Sequence, residues 1–109
     1  MSESVEIIKE LNDFRDKRDW AQFHNAKDLA LALSIEANEL LECFLWKNAE
    51  EANMDKVKEE LADVFSYAFL LLDKYDLNLK EIVLNKVQLN TKKYPVEKSI
   101  GKATKYDEL

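Results

Sequence analysis

The sequence contains one glycine, one proline and one cysteine in 109 residues. Together with 47% apolar and 35% charged residues, that scarcity points to an all-helical domain rather than a sheet or a disordered tail. The lone Cys43 excludes an intrachain disulfide and a thiolate zinc site, and fits a reducing cytoplasm. There is no basic start followed by an apolar run, so no signal peptide is expected. The final YDEL has the form of an ER-retention ending, but without an entry signal it is read as coincidence. The longest apolar run, VFSYAFLLL at residues 64 to 72, is too short and its flanks too charged for a membrane span. Also missing are a Gly-rich phosphate loop, an H-E-x-x-H motif and a supportable Ser/His/Asp set. Positive charge is in deficit: 22 acids against 16 lysines and arginines give a net charge of −6. That argues against unaided binding of nucleic acid or an anionic membrane, so a polyanionic substrate needs a bound cation and a local group of lysines. The length suits one domain with a small core.

What is present is a pair of matched acid pairs. Glu36 and Glu39 lie in LSIEANELLECF, and Glu60 and Asp63 lie in VKEELADVFSYAF. At about 100° per residue, Glu36 sits at the edge of a stripe formed by Leu29, Leu33, Ala37, Leu40 and Phe44. Glu60 holds the same place beside Val57, Leu61, Val64, Ala68 and Leu71, and in each helix the second acid lies one turn toward the polar side. Antiparallel packing of the stripes brings the four carboxylates into one half-buried cleft. There they repel one another and lose hydration, so they take up protons or bind a cation. An all-oxygen cluster suits a hard ion, Mg²⁺ by default, with Mn²⁺ as a substitute. Acid pairs three apart also occur at Glu3/Glu6, Glu10/Asp13 and Asp73/Asp76, so any single pair is more simply a solvated face. The matched position beside two stripes distinguishes this one.

Four helices are expected. The first runs from about Ser4, as cap, to Trp20, with Ile7, Leu11 and Phe14 inward and Lys9, Arg15, Lys17 and Arg18 on a solvated side. The second runs from Ala26 to Trp46 behind an Asn25 cap with Asp28, and the third from Met54 to Tyr75 after the loop NAEEAN. Trp20, Phe23 and His24 fall in the first connection, either as a hydrophobic lid over the bundle end or as a stacking wall for a planar ligand. Phe69 and Leu70 project away from the third helix's main stripe, which suggests a subunit interface. The fourth helix starts at an Asn78/Glu81 cap and stops at or before Pro95. Along it Lys86, Asn90 and Lys93 recur at i, i+4, i+7 beside Tyr94, as a solvated stripe or as holders of phosphate oxygens. Residues 1–95 then form the helical domain, and 96–109 an extended or flexible tail.

These segments resemble a known family. RDWAQFH, then E-A-N-E-L-L-E followed by F-L-W-K, then E-E-L-A-D-V-F-S-Y, K-V-Q-L-N-T-K-K-Y-P and S-x-G-x-x-x-K-Y are together similar to the MazG-like all-α nucleoside triphosphate pyrophosphohydrolases, and most of all to their dCTP pyrophosphatase branch. The resemblance implies a four-helix MazG-like bundle in which Glu36, Glu39, Glu60 and Asp63 bind Mg²⁺. It implies that Trp20, His24 and Trp46 surround the base, with Tyr67 near the sugar and the metal cleft. Lys86, Asn90 and Tyr94 would contact phosphates or sugar, with Lys93 beside them. It implies a nucleoside triphosphate substrate, cytoplasmic nucleotide house-cleaning, and homodimers or homotetramers with sites completed across subunits. The broader family pattern is often E-E-x-x-E, and Ile35 stands in the first position here, as a non-acid does in the dCTP-preferring branch; the general base is left open. The same fold acting on dUTP or on several triphosphates is one alternative. A non-catalytic helical interaction module with a structural cation site is another.

Overall fold

A computed structural model describes residues 2–109. Among the described residues there are five α-helices: α1 (Glu3–Asp16), α2 (Ala26–Glu42), α3 (Met54–Lys74), α4 (Leu79–Lys93) and α5 (Val96–Ser99). Short 3-10 turns occur at Ala21–Phe23, Ala49–Glu51 and Tyr106–Glu108, and no strand occurs among the described residues. The chain is all-α. Its internal contacts divide it into Met1–Leu77 and Asn78–Leu109.

In the first unit, α2 packs along α3, and α1 packs on α3 as well. Leu29 of α2 is 2% exposed, and Phe69, Leu70 and Leu72 of α3 are also buried. Phe69, at 8%, and Leu70, at 7%, are therefore core residues, and the subunit interface inferred from them is withdrawn. The helical wheel gave α3 one apolar partner, whereas α3 has two. Leu70 lines a cavity with Leu11 and Phe14 of α1, so the apolar residues on its second face have a partner within the chain.

Helices α1 and α2 stop at Asp16 and Glu42, short of the expected Trp20 and Trp46, while α3 ends at Lys74, beside the expected Tyr75; the scarcity of glycine governs how α1 and α3 close. A helix that ends in a left-handed residue closes its last carbonyls on the following amides, and Asp tolerates that conformation better than most residues. After α1, Asp19 takes φ 54°, its amide donates to Asp16 O, and the Trp20 amide donates to Arg15 O. After α3, Asp76 takes φ 53°, its amide donates to Asp73 O, and the Leu77 amide donates to Leu72 O. The end of α2 differs. The amides of Cys43, Phe44 and Leu45 donate to carbonyls three residues back, at Leu40, Leu41 and Glu42, which tightens the chain until Trp46 turns it at φ 61°.

The helix starts follow their caps. Ser2, not Ser4, caps α1, accepting from the Val5 amide. Asn25 Oδ1 accepts from the Asp28 amide, and Asn25 Nδ2 donates to the Asp28 carboxylate. Asn53 caps α3 by accepting from the Lys56 amide, and the loop before it holds a capping box between Asn48 and Glu51.

In the second unit Asn78 caps α4 by accepting from the Glu81 amide. The helix ends at Lys93, ahead of Pro95. The ring of Tyr106 meets Tyr94 edge-on at 6.0 Å, and Lys93 Nζ lies 4.8 Å from the Tyr106 ring centre.

Candidate metal and ligand site

Helices α2 and α3 bring acids together from both matched pairs. One oxygen from each of Glu36, Glu60 and Asp63 lies within 4.8 Å of the others. Glu36 and Glu60 are half-buried and Asp63 is exposed. Each of the two glutamates buries one oxygen, Oε2, with no hydrogen-bond partner. Such orphaned acceptors are costly unless a proton or cation reaches them. The electrostatics agree. Desolvation first, then a hydrogen bond with Glu39 and the charges of Glu39, Asp63 and Glu60, push the Glu36 carboxyl up to about 7. Glu60 is raised too, by desolvation and then by Glu39 and Asp63. An all-oxygen, multiply negative, half-buried set of this kind fits a hard divalent cation. Glu39 lies outside the three-acid set, although both glutamates feel its charge.

Beside the acids lies a cavity of about 470 Å³, and Asp63 is part of its wall. Trp20, His24 and Tyr67, three of the expected ligand-binding residues, line it together with Arg15 and Ser66. Trp20 is held edge-on to Phe14 at 5.7 Å, and the Arg18 guanidinium lies 3.7 Å from the centre of the Phe14 ring. These contacts fix the aromatic wall while leaving Trp20 44% exposed, so the indole has surface available for stacking. His24 is half-buried and its Nδ1 has no partner. Desolvation, then the positive charges of Arg15 and Lys74, hold its pKa below the usual 6.5, so a neutral imidazole faces this wall. Burial, and after it the charges of Glu36, Asp63 and Glu39, raise the Tyr67 hydroxyl, which keeps it a hydrogen-bond donor.

The other expected residues are not among those lining this cavity. Trp46 is 99% exposed, and the structure does not bring it to the cavity wall. Lys86, Asn90, Lys93 and Tyr94 belong to α4 and its end, in the second unit, where the lysines and Tyr94 are exposed and Asn90 is half-buried. The sequence also hid some residues. Arg15 reads as part of a solvated face, yet its side chain is only 22% exposed and faces the cavity. Ser66 carries no signal beyond its distance of three residues from Asp63.

The sequence model of the MazG-like family matches residues 31–109. The chain is 37% identical over 115 residues to dCTP pyrophosphatase 1 of Bos taurus and 36% identical to that of Mus musculus, in each case over 97% of this chain and 68% of the relative. Its fold is similar to that of a pyrophosphatase from Archaeoglobus fulgidus, with a TM-score of 0.80 and 37% identity, over 87% of this chain and 94% of that one.

Proposed function

The chain belongs to the MazG-like family, and from that premise we propose that it is a pyrophosphohydrolase of nucleoside triphosphates, acting on dCTP or a related pyrimidine deoxynucleotide. The products are the monophosphate and pyrophosphate, and the role is house-cleaning of the nucleotide pool in the cytoplasm. The observation that carries the reading is the position of Asp63. It belongs both to the three-acid cluster and to the wall of the aromatic cavity. A planar base held there would place its phosphates beside the cluster. The similar proteins named dCTP pyrophosphatase 1 support the choice of base.

Glu36, Glu60 and Asp63 would hold Mg²⁺, or Mn²⁺ in its place, with Glu39 adjoining. When bound, such an ion supplies neutralisation of the triphosphate and a more acidic water. The chain's own groups do the rest. Trp20 stacks on the base, and neutral His24 offers a ring nitrogen to its edge. The Tyr67 hydroxyl donates to the sugar or an adjacent phosphate oxygen. Glu39, free of the three-acid set, is placed to take the proton of the attacking water. Lys86, Asn90, Lys93 and Tyr94 belong to the same proposal as contacts to phosphate or sugar. So does a homodimer or homotetramer with sites completed across subunits, in which the fully exposed Trp46 reaches a base. Positioning and electrostatics supply most of the acceleration in this scheme.

The test is a panel of ribo- and deoxynucleoside triphosphates, each with Mg²⁺ and with chelator, recording pyrophosphate and orthophosphate separately. Pyrophosphate released only with Mg²⁺, fastest from dCTP, supports the reading. Release of orthophosphate alone, or of neither, overturns it.

A further inference from the structure

A second cavity, of about 180 Å³, adjoins the acid cluster at Glu60. It is lined by the carboxylates Glu39, Glu42 and Glu60 and by Lys47, Asn53, Lys56 and Cys43. The arrangement follows from one face of α3. Lys56, Glu60, Asp63 and Tyr67 recur at i, i+4, i+7 and i+11, so they stand in a row along the helix. At about 1.5 Å per residue the row is about 16 Å long. Its order is a lysine, two acids of the cluster, and a tyrosine of the aromatic cavity. Glu60 joins the cluster to the smaller cavity as Asp63 joins it to the larger one.

Lys47 reaches the same small cavity from the turn after α2. Both lysines are exposed and stand among glutamates, yet neither is neutralised by one. The ion pairs among the described residues are Lys9–Asp13 and Arg15–Asp16. Two uncommitted ammonium groups at the far end of a row that begins at a base-sized aromatic cavity are placed for an anion.

We propose that Lys47 and Lys56 seat the β- and γ-phosphates of the substrate and hold the pyrophosphate as it leaves. The inference rests on the pyrophosphohydrolase reading and deepens it. In that reaction the water oxygen bonds to the α-phosphorus, its proton passes to a carboxylate, and the bond from the α-phosphorus to the α,β-bridging oxygen breaks. The electron pair of that bond departs on the bridging oxygen, which leaves as part of the pyrophosphate. Negative charge therefore grows at the lysine end of the row, where point charges on flexible stems stabilise it. The site is formed within the first unit alone.

Product inhibition separates this end of the site from the other. Inorganic pyrophosphate and dCMP are each titrated as inhibitors of dCTP cleavage by the full-length protein, by Lys47→Gln, by Lys56→Gln and by the double variant. In the double variant the inhibition constant for pyrophosphate rises about tenfold or more, as loss of charge-assisted contacts requires, while that for dCMP stays within about twofold. An unchanged pyrophosphate constant overturns the assignment, as does an equal rise in both. Calorimetric binding of pyrophosphate with Mg²⁺ provides a readout independent of turnover. If the unmodified protein cleaves no nucleotide, the proposed function fails. The lysine seat still stands if the double variant binds pyrophosphate about tenfold more weakly than the unmodified protein, and falls if binding is equal or absent in both.

Discussion

Glu36 of α2 and Glu60 of α3 meet across the helix pair with the same oxygen of each, Oε2, buried and without a partner. Neither helix alone creates this condition. It arises because the apolar stripes of both helices end at these residues, so packing the stripes draws the carboxylates inward. A cation binding at this point relieves repulsion that the folded chain otherwise bears.

The first expectation concerns removal of the metal. A ligand that binds only the folded state at a hundredfold excess over its Kd stabilises it by about 2.7 kcal/mol, so Mg²⁺ or Mn²⁺ raises Tm and a chelator reverses the rise. Glu36→Gln and Asp63→Asn keep the helical circular dichroism signal, lose most of the metal-dependent rise, and lower turnover by about 10²-fold or more, comparable to the loss of one aimed electrostatic partner. Unaltered turnover in both variants contradicts the site.

The second concerns pH in the presence of chelator. Glu36 has its folded pKa raised to about 7 from an ordinary value of 4.5, so the folded chain holds that proton more tightly than the unfolded chain. The resulting stability is fully present below pH 4.5 and is lost as pH rises through about 7. Glu60 is shifted in the same direction. Melting of the metal-free protein across this range falls with pH, and Glu36→Gln flattens the slope. A slope of opposite sign, or one undiminished in the variant, contradicts the account.

The third concerns Phe69. A buried aromatic truncated to alanine costs about 3–5 kcal/mol, so Phe69→Ala lowers Tm strongly at every protein concentration. A residue serving only between subunits would instead change sedimentation and leave a dilute sample's melting untouched.

These residues also show how much of the molecule was legible in advance. The juxtaposition of Glu36 with Glu60 and Asp63 was readable because helical periodicity fixes which residues share a stripe edge, and the caps at Asn25 and Asn78 were readable because each Asn stands three residues before an acid. Phe69 and Leu70 were misread because a helical wheel carries no record of how many neighbours a helix has, and α3 has α1 as well as α2. The ends of α1 and α2 were placed too late because Asp19 serves where glycine is the usual signal and because the chain after α2 tightens into three-residue turns before Trp46 reverses it. Arg15, Lys47 and Lys56 had no signal, since a charge facing a cavity and a charge facing water read alike in sequence.

The fourth expectation concerns the base. Stacking on one aromatic face is worth about 1–3 kcal/mol, so Trp20→Ala raises KM for dCTP by about 5- to 150-fold, with a smaller change in kcat. Equal KM values in the two proteins remove Trp20 from the base site.

The central claim, attack of water at the α-phosphorus, is tested most directly by running the reaction in ¹⁸O-labelled water and weighing both products. The account predicts one labelled oxygen in the nucleoside monophosphate and none in the pyrophosphate. Label in the pyrophosphate, or in orthophosphate released beside a diphosphate, would contradict it.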